Sequence, residues 1–138
     1  MHFYDLDPVG QRIFQTEPEG MKPDEQIICA GVRLYFIMLS QEERKKALKA
    51  LMEPKMYSLY RRRVDLTAAD VDREILMLLA EICTHQSIEM LKNGDQAEEY
   101  RALAALGLEE AYRRFDAEKM SKGMERYLRE LYMTIVAG

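Results

Sequence analysis

The stretch from Ile27 to Leu39 runs for 13 residues with Arg33 as its one charge. Taken back to Pro23, its apolar residues Ile27, Ile28, Val32, Leu34, Phe36, Ile37 and Leu39 fall on nearly every side of a helix and leave no polar stripe. A membrane span needs roughly 18 or more such residues, so the segment is too short to cross a bilayer and too apolar to face water. It predicts a helix at the centre of a bundle, and the rest of the chain has to supply the helices that cover it.

Upstream, Pro8, Pro18, Pro23, Gly10 and Gly20 crowd the first 23 residues. They predict an irregular N-terminal arm over 1–22, with one short helix from Asp7 as N-cap to about Gln15. Downstream, Ser40 stands three residues before Glu43, the capping-box spacing, so a new helix starts there. It runs to about Met52, with Ala47, Leu48, Leu51 and Met52 on one side and Lys45, Lys46 and Lys49 on the other. Pro54 disfavours the helical region for Glu53, which predicts a break and then a short helix over Lys55 to Val64.

Thr67 caps a long helix that reaches Asn93, with Gly94 as its left-handed terminal residue. Its middle, Ile75 to Ala80, is apolar all round and makes it the second central helix. Asp95 with Glu98 repeats the cap signal, after which Tyr100, Leu103, Ala104, Gly107, Leu108, Ala111 and Phe115 recur at spacings of three and four. That face, rich in small residues, is expected to admit a neighbouring backbone, and Gly107 either serves the contact or breaks the helix. After Ser121, residues Met124, Tyr127, Leu128, Leu131 and Ile135 form one apolar face, with Glu125–Arg129 and Arg126–Glu130 as (i, i+4) pairs on the other. No segment alternates at period two. The expected fold is all-α, a compact bundle of five to seven helices, with 23–138 as one domain behind the arm.

A chain of 138 residues, 48% hydrophobic and 32% charged, is large enough to bury roughly two-thirds of its unfolded surface, so it needs no metal or disulfide to fold. Cys29 and Cys83 lie outside any CxxC and are expected to be reduced core thiols. The opening residues lack the basic start and apolar stretch of a secretory signal, and a cytoplasmic location is expected.

Charge is distributed unevenly. Residues 1–43 carry a net −5, residues 44–63 a net +7 and residues 64–138 a net −6. The basic segment 44–63 holds Arg44, Lys45, Lys46, Lys49, Lys55, Arg61, Arg62 and Arg63, with Tyr57 and Tyr60 among them. Cations interleaved with aromatics suit phosphate neutralisation and base stacking. The lysines lie opposite Leu48 and Leu51, however, as the ordinary wet face of an amphipathic helix, and the acidic remainder repels a polyanion. A solvated or intramolecularly paired segment is therefore expected first, a protein partner with an acidic surface next and nucleic acid last. Lys45, Lys49, Tyr57, Tyr60, Arg61, Arg62 and Arg63 are then the partner-binding candidates.

Two further constellations carry chemistry. Glu81, His85 and Glu89, at i, i+4 and i+8, line one ridge of the long helix as weak metal candidates. Di-iron bundles use a Glu-x-x-His pair from each of two helices, and neither His2 nor His85 has that glutamate. Arg33, inside the apolar helix, must reach the surface or find a carboxylate, since burying it unpaired costs several kcal/mol. It is expected to pair with Glu74 or Glu81, and is the best single anchor for a ligand or interface.

The sequence contains no nucleophile elbow, phosphate-binding loop, dinucleotide fingerprint or H-E-x-x-H helix. Together with ten methionines, whose flexible thioethers suit adaptable surfaces, this favours a non-catalytic module. The leading expectation is a homodimeric adaptor, assembly factor or inhibitor, a regulator without cofactor that acts by protein–protein contact. Nucleic-acid binding through 44–63 is the alternative, and a metal or small-ligand site near Arg33, Glu81 and His85 the third.

Overall fold

The computed structural model describes residues 5–16, 19–61, 68–94 and 98–138, with their side chains except at 51–52, 54–61 and 68–72. Six α-helices follow one another: α1 (Pro8–Gln15), α2 (Pro23–Ile37), α3 (Gln41–Arg61), α4 (Ala68–Lys92), α5 (Glu98–Arg114) and α6 (Lys122–Ala137). A 3₁₀ turn, Ala117–Lys119, joins the last two, and there is no strand among the described residues. The molecule is the all-α bundle that the spacing predicts.

Local chemistry sets most of the helix starts. The Asp7 carboxylate accepts from the Gly10 N–H at 2.7 Å and caps α1. Ser40 and Glu43 exchange both bonds of a capping box, Glu43 N–H to Ser40 Oγ at 3.2 Å and Ser40 N–H to Glu43 Oε1 at 3.0 Å. Those bonds hold the Glu43 carboxyl below the usual carboxylate range. Ser121 accepts from Met124 N–H at 3.1 Å and opens α6. The proposed caps Thr67 and Asp95 lie outside the described residues.

Two local expectations are corrected. Helix α3 continues through Pro54 to Arg61 instead of breaking there. A proline costs a helix interior about 3 kcal/mol, and the Ala, Leu, Lys, Met and Glu residues around it are helix formers that let the helix persist. Gly94 does not take the left-handed conformation; among the described glycines Gly20 alone has a positive φ, of 71°. The Arg101 guanidinium lies where a Cβ at position 94 would project, but it is the far end of a flexible side chain and can move aside.

Helix α2 occupies the middle, in contact with α1, α4, α5 and α6, and its largest interface is with α4. Ile28, Val32 and Phe36 are fully buried. Gly31 lets α5 approach, since a Cβ there would stand 2.9 Å from Leu108 Cδ2. The Ser87 hydroxyl of α4 donates to the Gly31 and Cys83 carbonyls and links the two central helices. The covering of α2 is incomplete: Ile27 and Met38 remain more than two-fifths exposed.

Helix α6 buries Met124, Tyr127, Leu128, Leu131 and Ile135, the face its spacing predicts. Each such side chain contributes about 2 kcal/mol when removed from water. Its outer pairs differ from expectation, because Glu125 turns to Arg73 of α4 at 3.7 Å, an inter-helix partner that sequence spacing does not reveal. Helix α1 joins the same core through Val9 and Ile13.

The start of α6 is joined to the start of α2 through one buried carboxylate. Glu25, 2% exposed, accepts from Lys22 N–H at 2.9 Å and from Ser121 N–H at 2.8 Å. Next to it Gly123 touches the backbone of Glu19 and Gly20, leaving no room for a Cβ.

Candidate functional site

The described cations of the basic segment do not share one face. Arg44 leaves it entirely: only 1% exposed, its guanidinium donates to the Phe36 carbonyl at 2.7 Å, to Asp7 Oδ2 at 2.7 Å and to Gln41 Oε1 at 3.2 Å. This cluster locks α1 against the α2–α3 corner, and the bond from Arg44 holds the Asp7 carboxyl below its ordinary range. Lys45, Lys46 and Lys49 are exposed on the first half of α3, Lys49 with Glu53 3.7 Å away. The side chains of Tyr57, Tyr60 and Arg61, and all of Arg62 and Arg63, lie outside the described residues. What the structure brings together is a short lysine face without a described aromatic partner.

Arg33 is also corrected. Its contacts are with α1, where it donates to the Phe14 carbonyl at 3.3 Å and sits 5.7 Å from the centre of the Phe14 ring. Neither Glu74 nor Glu81 is its partner, because α2 turns this side chain towards α1. The arm's aromatic ring thus offers a cation a π-face and a carbonyl together.

On the long helix α4, His85 meets Tyr112 of α5 edge to face, ring centres 4.9 Å apart. Burial and the nearby Glu81 carboxylate raise the Tyr112 phenol above its usual range. Helices α4 and α5 form an antiparallel pair here, with His85 against Tyr112, Lys92 paired with Glu109 and Arg101 against Gly94. Glu81, His85 and Glu89 remain a line of exposed side chains, and among the described residues no three His, Cys, Asp or Glu groups converge to hold a metal. Arg33 makes its contacts with Phe14 of α1, and His85 makes its own with Tyr112 of α5.

Both cysteines are buried thiols. Desolvation pushes the Cys29 pKa up to about 12 and raises Cys83 further still, which leaves neither available as a thiolate nucleophile near neutral pH. An open groove of about 500 Å³ between Thr16 and α6 is lined by Arg126, Arg129, Glu130, Met133 and Thr134.

The feature that sequence reasoning placed wrongly is the outer side of α5. Leu108 and Ala111 are buried as expected, together with Ala105. Tyr100, Leu103, Ala104 and Gly107, assigned to the same packed face, stand in solvent. Tyr100 is 80%, Leu103 67% and Leu106 61% exposed. A Cβ added at Gly107 would meet nothing within 4 Å. Apolar residues occupy so much of the α5 circumference that periodicity does not say which part faces the core, and the close approach of Leu108 to Gly31 selects the other side. The helix runs unbroken through Gly107.

No helix among the described residues is long and apolar enough to cross a membrane. Comparison of the chain with protein-family models, with curated proteins and with solved structures finds no match.

Proposed function

We propose that this chain works by protein–protein contact, as an adaptor, assembly factor or inhibitor does, rather than by turning over a substrate. The observation that carries this reading is the outer face of α5, where Tyr100, Leu103 and Leu106 are 61–80% exposed within seven residues of one helix. Single exposed apolar residues are ordinary, but a contiguous group of large ones marks an interaction surface. Aromatic residues are enriched at such contacts. The exposed Lys45, Lys46 and Lys49 on α3 give an acidic protein surface a second, polar point of attachment. The nucleic-acid alternative is weakened by the loss of Arg44 from that face.

The test is a double substitution, Leu103→Glu with Leu106→Glu. Because both side chains stand in water, helical content and melting should stay those of the parent, within about 0.5 kcal/mol. Immobilised parent protein should retain a protein ligand, another copy of the chain included, that the double variant loses. Equal retention by the two would contradict the reading.

A further inference from the structure

The exposed face of α5 is not uniform along its length. Glu99, Leu103, Leu106, Glu110 and Arg113 follow one another at steps of four, three, four and three, which places them in one row on a helix. Tyr100, Gly107 and Arg114 flank that row at steps of seven. The row opens with the carboxylate of Glu99, with Glu98 beside it, passes through Leu103 and Leu106, and closes with Arg113, with Arg114 on its flank. The two arginines are 75% and 64% exposed and bracket Glu110, so that end carries a net positive charge while the start carries a net negative one.

Such a face contains its own complement. From Glu99 to Arg114 is about 22 Å at 1.5 Å per residue. Turning a second α5 end for end sets each acidic start against a basic finish, whereas parallel pairing would set acid on acid and base on base. We infer that the partner of this face is a second copy of the chain, with the two α5 helices packed antiparallel about a two-fold axis beside Leu106 and Gly107. This rests on the reading of α5 as a contact face given above and names its occupant.

In that arrangement Leu106 of each copy lies over Gly107 of the other, where the missing side chain leaves the open space already described. Leu103 covers Glu110, whose charge is met within its own helix by Arg113 and Arg114. Tyr100 meets Arg113 across the axis, and Glu99 meets Arg114. The contact is isologous and closes on itself, so it yields dimers and not fibres. One helix face falls short of the about 800 Å² per partner of a standard interface, which makes the dimer concentration-dependent.

Sedimentation velocity on the full chain between about 10 µM and about 500 µM tests this. The parent mass should rise from 16.1 kDa towards twice that value with concentration. At low salt, where these exposed charges are least screened, Glu99→Arg should weaken association about tenfold by placing like charges across the axis twice. Combining Glu99→Arg with Arg114→Glu should restore it to within about threefold of the parent. Circular dichroism on each variant should match the parent, since both side chains are exposed.

A parent that stays at 16.1 kDa throughout overturns the second copy as occupant. Dimers that the paired reversal does not rescue overturn the antiparallel arrangement. The broader reading of α5 as a contact face fails separately, only if the Leu103→Glu, Leu106→Glu protein retains the same ligands as its parent.

Discussion

Helices α5 and α6 carry apolar residues at the same three-and-four spacing, and each contains a glycine, yet their surroundings are opposite. The apolar face of α6 is covered from end to end, and Gly123 is pressed against the backbone of Glu19 and Gly20. Helix α5 covers one side only, and Gly107 faces open space. Spacing shows that a helix has an apolar face; it does not show what covers that face. Where a second element of the same chain does the covering, stability follows, and where none of the described residues does, the face is open to another molecule.

The contrast predicts the largest losses at the covered end of the molecule. Arg44→Met should cost about 3 kcal/mol, because it leaves the Phe36 carbonyl without its donor and the Asp7 carboxylate without its counter-charge. Chemical denaturation checks this. The same pair sets an acid sensitivity. The folded-state pKa of Asp7 is lowered, chiefly by the bond from Arg44, so its contribution is fully present above the unfolded value of about 3.9 and is lost as pH falls through the lower folded value. The parent should therefore lose more stability than Arg44→Met does below about pH 4.

Gly123→Ala should cost about 2 kcal/mol, since the new methyl group meets backbone atoms that cannot rotate away. The smallest effect has the opposite sign. Gly107→Ala should stabilise the dilute protein by about 1 kcal/mol, a rise in Tm of about 3 °C, because alanine is the better helix former and nothing stands in its way. A fall in Tm would mean that Gly107 is covered within the monomer, and the contrast between the two helices would collapse.

What was legible in the sequence was what local chemistry decides. Asp7, the Ser40–Glu43 box and Ser121 act within three residues of their own positions, so their roles could be read from spacing alone. The buried face of α6 was legible as well, because Met124, Tyr127, Leu128, Leu131 and Ile135 recur at three-and-four spacing, although Met133 and Val136 of the same helix stay half exposed. Arg44 was not: in a run of lysines it looks like part of a wet face, and only the folded chain brings Asp7, 37 positions earlier, to its guanidinium. Arg33 was misread for a related reason, since its partner is a backbone carbonyl and a ring on α1 and no acid pattern announces it.

The outer face of α5 was misplaced because its apolar residues wrap too far around the helix for periodicity to choose a side. The choice is made by Gly31 and Leu108, a contact between two helices that lie far apart in the chain. That is also how the exposed apolar surface comes to lie on α5, while Arg44 of the basic segment is buried and holds α1 to the α2–α3 corner.

The central claim is that the outer face of α5 is where this molecule meets a second copy of itself. The most direct measurement is the mass of the parent and of the Leu103→Glu, Leu106→Glu protein, side by side at about 500 µM. The account predicts a parent heavier than 16.1 kDa beside a variant that stays at the monomer mass with the same helical content. Two proteins of equal mass, whether both monomeric or both dimeric, would contradict it.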